Sequence, residues 1–283
     1  MLYVILASLL QAFYKPFAVH QRPETANWHS ADLGILEGQR GSSLSSARSQ
    51  NENITLVQGF TLFSDISAGD CSAIISAAHE EIYPRSQTIF SIGDGVEQVV
   101  LLLSGWVKIT QPGPKGTEVI LRLVGIGEIV GAFGCWSGHK HRSTAESVRS
   151  CAALVWDAAS FDKILERFHL FRRNTILALE ERLEELDERF REVSTESVSS
   201  RLSSELIRLS KRFGSAVDER REIRLSRQEL AQLTGTTLAT VSRHLCRWQA
   251  LGIISIGREM VQVCDIAALA EVSDAECPPA SNL

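Results

Sequence analysis

The chain has no uninterrupted apolar run of about 20 residues, the length a helix needs to cross a bilayer. Its apolar start, Met1 to Tyr14, is too short for a span and lacks both the basic beginning and the small-residue cleavage site of a secretory leader. No membrane partner is expected. The six cysteines (Cys71, Cys135, Cys151, Cys246, Cys264 and Cys277) include no CxxC pair and no finger-like Cys/His spacing, so neither a structural metal nor a disulfide framework is indicated. They suit a reducing cytoplasm. Also missing are G-x-S-x-G, a P-loop and H-E-x-x-H, which removes the motif support for a hydrolase or transferase; the chain reads as no enzyme. A large excess of either charge is absent as well, with 29 Lys and Arg against 34 Asp and Glu. A formal net charge of -5 argues against a protein that coats nucleic acid along its whole length, and any nucleic-acid surface has to be local.

What is present, 44% hydrophobic and 22% charged residues in 283, suffices for two ordinary domains with separate cores. Residues 1–55, rich in Ser, Gly, Gln and Arg after the apolar start, are expected to be a disordered extension. Residues 56–168 carry short β-branched runs cut by turn glycines: Ile89 to Ile92, Val99 to Leu103, Trp106 to Ile109, Val119 to Val124 and Ala152 to Trp156. That pattern predicts a compact β-barrel, flanked by short helices over Asp70 to His79 and Ala158 to Phe168. In residues 169–197 the period changes. Ile176, Leu179, Leu183, Leu186, Phe190 and Val193 recur at spacings of three and four among charged residues, a narrow heptad seam that predicts a homodimer through a long helix.

Residues 198–270 hold the most specific signal, and residues 271–283 are read as a tail. Ser226 and Glu229 form a capping-box pattern ahead of a helix over Arg227 to Thr234. Gly235 supplies a turn into a second helix over Thr237 to Ala250. On that helix Leu238, Val241, Leu245 and Trp248 are expected on the inner face, which leaves Thr236, Thr240, Arg243 and Arg247 outside. A hairpin over Ile256 to Val263, with Gly257 and Arg258 at its turn, reads as a wing. From Val198 to Val263 eleven basic side chains stand against six acidic ones, a local basic footprint in an acidic chain. The candidate DNA-contacting residues are Ser226, Arg227, Gln228, Thr236, Thr237, Thr240, Ser242, Arg243, Arg247 and Arg258, with Arg243 reading guanine in a palindromic operator. The competing class is a ligand-binding regulatory module without DNA activity, which would leave the wing unexplained.

Three segments, in this order, carry a family resemblance: Leu103-Ser104-Gly105-Trp106-Val107-Lys108, Gly127-Glu128-Ile129-Val130-Gly131, and Leu225-Ser226-Arg227-Gln228-Glu229-Leu230-Ala231 continuing to Thr240-Val241-Ser242-Arg243. On these the chain resembles the CRP/FNR family of transcription regulators over about residues 56 to 268. The resemblance implies an α+β architecture: an N-terminal cyclic-nucleotide-binding-like β-barrel (a double-stranded β-helix or jelly roll), a long dimerisation helix and a C-terminal winged helix-turn-helix. It implies an effector-responsive regulator whose partners are duplex DNA, a second copy of the chain and RNA polymerase. It also implies an effector pocket at Gly131, Ala132, Phe133, Arg142, Ser143 and Thr144. The glutamate that relatives place on the ribose hydroxyl is matched by Ala132, which argues against cyclic AMP. Only Cys71 lies near the start of the barrel, against an iron-sulfur cluster. His139, His141 and His169 near the pocket or long helix leave haem as a minor alternative, and Cys135 and Cys151 could sense oxidants only if exposed with a lowered pKa. At two positions where relatives read bases the reader helix carries Leu238 and Ala239, so part of the half-site preference is expected to differ.

Overall fold

The computed structural model describes residues 50–113, 116–131, 139–217 and 220–272, with no side-chain description at 50, 51, 215–217, 220 and 221. It opens with a helix, α1 (Gln50–Gln58), followed by a 3-10 turn over Thr61–Phe63 and α2 (Ala68–Ile75). The sequence reading placed residues up to 55 in an unstructured extension. Instead α1 buries Val57 fully under the barrel, which explains why Asn53 and Val57 sit at helical spacing. The remaining extension residues, 1–49, lie outside the described residues.

The barrel consists of two four-stranded antiparallel sheets. One has the order β1 (His79–Tyr83), β8 (Cys151–Asp157), β3 (Gln98–Ser104), β6 (Ile129–Val130); the other β2 (Thr88–Phe90), β7 (Thr144–Ser147), β4 (Val107–Pro112), β5 (Glu118–Val124). Strand β3 is apolar from Val99 to Leu103 because both its faces are covered there. Val100 and Leu102 point into the barrel, while Val99, Leu101 and Leu103 meet the helices outside it. Those helices are α1, α2, α3 (Ala158–Arg167) and the first turns of α4 (His169–Thr195). Trp156 anchors this layer, fully buried with its indole N–H donated to the Ile74 carbonyl at 2.9 Å. Asn174 ties α4 to the same layer by donating to the Leu62 and Ser64 carbonyls at 3.1 and 2.8 Å.

Beyond α4 the C-terminal part contains α5 (Val198–Phe213), β9 (Ser215–Val217), β10 (Arg220–Ile223), α6 (Arg227–Thr234), α7 (Leu238–Ala250), β11 (Ile254–Gly257), β12 (Met260–Val263) and α8 (Ile266–Ala270). Its sheet runs β11-β12-β10-β9, so the wing hairpin is extended by two strands that the charged segment around 215–223 did not reveal. This part shares one core with the barrel. Trp106, Ile120, Leu123 and Val148 from the barrel's outer wall join Leu202, Leu206, Leu230 and Leu233. The Trp106 and Phe213 rings meet at 4.5 Å between centroids. Gly125 permits the approach, since a Cβ there would come within 2.8 Å of the Phe213 ring.

Candidate nucleic-acid interface and effector cleft

Helix α6 starts where the capping box predicts. Ser226 Oγ accepts from the Glu229 backbone N–H at 3.1 Å, and Glu229 Oε2 accepts from the Ser226 N–H at 2.8 Å. The helix ends on Gly235 in the left-handed region (φ 64), a conformation that costs glycine nothing and frees the chain to turn toward α7. Thr237 caps α7 by accepting from the Thr240 N–H at 3.2 Å, and the two threonine hydroxyls lie 2.9 Å apart. The hydroxyls of Ser226, Thr237 and Thr240 are therefore engaged in shaping the helix starts.

Val241, Leu245 and Trp248 are buried on the inner face of α7, joined by His244, whose burial the sequence reading missed. Leu238 departs from expectation. It is 46% exposed and lines an open concavity of about 400 Å³ that Leu225, Ser226, Arg227, Gln228 and the wing enclose. Standing at the first position of α7, it precedes the helix's contact with the core, so its spacing alone misplaces it. Arg243, Gln228 and Arg258 are exposed, while Arg227, Thr236, Ser242 and Arg247 are half-buried. The wing turn holds Arg258 and Glu259, the latter with φ 52, and Glu259 accepts from Arg85 of the barrel at 2.9 Å. The guanidinium of Arg85 and the carboxylate of Glu259 hold each other charged by this contact.

On α4 all six seam residues face outward: Ile176, Leu179, Leu183, Leu186, Phe190 and Val193 are 38% to 74% exposed, Phe190 most. Of the expected effector residues, Gly131 stands at the end of β6 with φ 92, where a Cβ would strike the Phe90 ring. Ser143 and Thr144 are half-buried, and Thr144 Oγ1 accepts from the Ile92 N–H at 3.1 Å. Arg142 is exposed, and its backbone carbonyl accepts from Gln111 at 2.7 Å. Ala132 and Phe133 lie outside the described residues, as does Cys135.

Two arginines that the sequence reading passed over are drawn to this end of the barrel. Arg122 of β5 donates to the Ile129 carbonyl at 3.2 Å and Arg182 of α4 to the Gly131 carbonyl at 2.7 Å. Burial, and then the neighbouring positive charge of Arg182, push the Arg122 guanidinium down to about 10; burial also lowers that of Arg182. An arginine inside the otherwise apolar run Val119-Ile120-Leu121-Arg122-Leu123-Val124 is the signal that could have found it.

His141 stacks on Phe90 (3.6 Å between centroids, 8° between planes), and burial lowers its pKa. His169 is an exposed residue at the start of α4. Among the described residues no group of three or more His, Cys, Asp or Glu is placed to hold a metal ion. Cys151 is buried and its thiol is pushed up by burial, contrary to what an oxidant sensor requires.

A sensor barrel, a long helix with an exposed apolar stripe, and a winged helix-turn-helix with an outward arginine define a one-chain DNA-binding regulator. Residues 80–168 match the cyclic nucleotide-binding domain family, and residues 200–272 match the Crp-like helix-turn-helix domain family. The cyclic AMP receptor protein of Thermus thermophilus is 26% identical over 217 residues, covering 77% of this chain and 98% of the relative. Two solved structures share the fold. FixK2 of Bradyrhizobium japonicum has a TM-score of 0.62 at 21% identity, over 71% of this chain and 99% of the other. The c-di-GMP responsive regulator CLP of Xanthomonas campestris has a TM-score of 0.60 at 22% identity, over 70% and 99%. The chain belongs to the CRP/FNR family of transcription regulators. No helix among its described residues is long and apolar enough to cross a membrane.

Proposed function

We propose that the chain acts as a homodimer on palindromic duplex DNA and regulates transcription through RNA polymerase, in response to a small effector received at the barrel's β6 end. The observation that carries this reading is the outer face of α7. Arg243 is exposed there, with Arg247 one turn on and Arg258 on the adjoining wing. A guanidinium on a groove-sized helix can pair bidentately with guanine N7 and O6, while neighbouring arginines position the helix on phosphates. Leu238, apolar and exposed beside Arg227 and Gln228, fits the 5-methyl group of a thymine. It stands where a charged reader would impose a different base, so the half-site preference follows this chain's own side chains.

The seam supports the dimer. Six apolar side chains in water on one helical stripe are costly for a lone chain and are removed from water by a two-fold partner. Two copies then present two α7 helices to successive major grooves. A gel shift with genomic DNA fragments over a range of salt tests the reading. Retention of discrete fragments with steep salt dependence is the expected result, and no retention at low salt would contradict it.

A further inference from the structure

We propose that the joint between α4, α5 and α6 holds a binding site for one small monovalent anion of the halide class, centred on Arg201. Its residues are none of those assigned to the effector cleft or to the outer face of α7. The site therefore goes beyond the reading above and does not depend on it.

The three helices meet around a small cleft of about 20 Å³, lined by Arg189 and Glu192 of α4, Arg201, Glu205 and Arg208 of α5, and Thr234 of α6. That space takes a single solute of about the size of water. Three guanidinium groups face two carboxylates across it. Both carboxylates are buried and already engaged. Glu192 accepts from both terminal nitrogens of Arg208, and Glu205 accepts from Arg208 at 2.7 Å with Arg189 at 3.4 Å. Arg189 donates besides to the Leu121 and Leu233 carbonyls.

Arg201 is the cation left over. Its Nη1 donates to the Glu196 backbone carbonyl at 2.8 Å, and its Nε is buried without an acceptor. Among the described residues no carboxylate stands within ion-pair distance of it. The Glu196 carboxylate accepts instead from Arg191 at 2.9 Å, and Arg191 also holds Glu188, on the side of the joint that reaches solvent. Buried N–H groups are almost always paired, and a guanidinium in a poorly hydrated cleft is costly without a counter-charge. A water molecule would satisfy Nε but leave the charge. Phosphates and carboxylic acids exceed the space. A chloride ion, spherical, weakly hydrated and little larger than water, accepts from Nε and supplies the missing negative charge. Held there, it ties the long helix to the two helices that precede the reader helix α7.

The test uses the full chain with chloride as the probe. Thermal unfolding is followed while sodium chloride replaces sodium gluconate at constant ionic strength, gluconate being too large for the cleft. The melting temperature should rise by about 2–4 °C and then saturate, as for a ligand that binds the folded state alone. Arg201→Met should lose this gain, and Arg173→Met, which alters an exposed arginine elsewhere on α4, should keep it. Arg201→Lys retains the charge without Nε and should keep only part of the gain. A second measurement needs no variant: in crystals soaked in sodium bromide, anomalous scattering should place one bromide within hydrogen-bond distance of Arg201 Nε. No saturable gain over gluconate, an equal gain in Arg201→Met, or a cleft that holds water and no bromide would each overturn the site.

Discussion

Arg208 of α5 grips Glu192 of α4 with both terminal nitrogens, Nη2 at 2.9 Å, across a joint of two residues, Glu196 and Ser197. The Glu192 side chain is only 7% exposed. Arg208 also reaches Glu205 at 2.7 Å, and Arg189 lies 3.4 Å from Glu205 while donating to the Leu121 carbonyl of the barrel and the Leu233 carbonyl of α6. One network thus fixes the angle at which the long helix hands over to the DNA-reading part.

Arg208→Ala should destabilise the chain by about 1–3 kcal/mol, because it leaves two buried carboxylates short of their donor. The lower part of that range is expected, since Arg208 itself is 40% exposed and water can partly replace it. Arg208→Lys, a point charge without the fork, should recover only part of the loss. Urea unfolding midpoints decide this, and a midpoint unchanged in Arg208→Ala would contradict the role given to the network.

Much of this architecture was legible in the sequence because periodicity and caps are local signals. Ser226, Glu229 and Gly235 mark both ends of α6, and the heptad stripe marks α4. Strands β1, β6 and β7 were not legible. They are two to five residues long, and His79-Glu80-Glu81 carries more charge than a half-buried strand usually shows. The position of Leu238 and the pairing of Arg122 with the Ile129 carbonyl depend on neighbours far along the chain, which no window of sequence contains. The expected effector-pocket arginine, Arg142, rested on family resemblance rather than on any local signal, and it stands exposed.

Leu183→Asp should abolish dimerisation. It places a carboxylate in the middle of the six-residue seam, opposite its symmetry mate, where burial and like-charge repulsion act together. Because Leu183 is 46% exposed in the single chain, the protomer should remain folded. Sedimentation equilibrium should show monomers with unchanged circular dichroism, and an intact dimer would rule out this seam.

Stability should fall as pH drops below about 6.5. Burial lowers the pKa of His141 from its ordinary 6.5, so between the two values the unfolded chain binds a proton that the folded chain does not. The contribution is fully present above 6.5 and is lost as pH falls toward the folded-state value. His141→Phe keeps a ring on Phe90 and should remove this part of the dependence. Denaturant unfolding of both proteins at pH 7.5 and 5.5 checks it; an equal loss in the two would assign the effect elsewhere.

The central claim, that a dimer reads DNA with Arg243, is tested most directly by binding selection on randomised duplexes with wild type, Arg243→Ala and Arg247→Ala. Wild type should enrich a palindrome whose half-sites lie about one helical turn apart on one face of the DNA. Arg243→Ala should lose about 1–3 kcal/mol per half-site and flatten the preference at one base pair in each half, whereas Arg247→Ala should weaken all sequences alike. Full wild-type preference in Arg243→Ala, or no enriched sequence with the wild-type protein, would contradict the account.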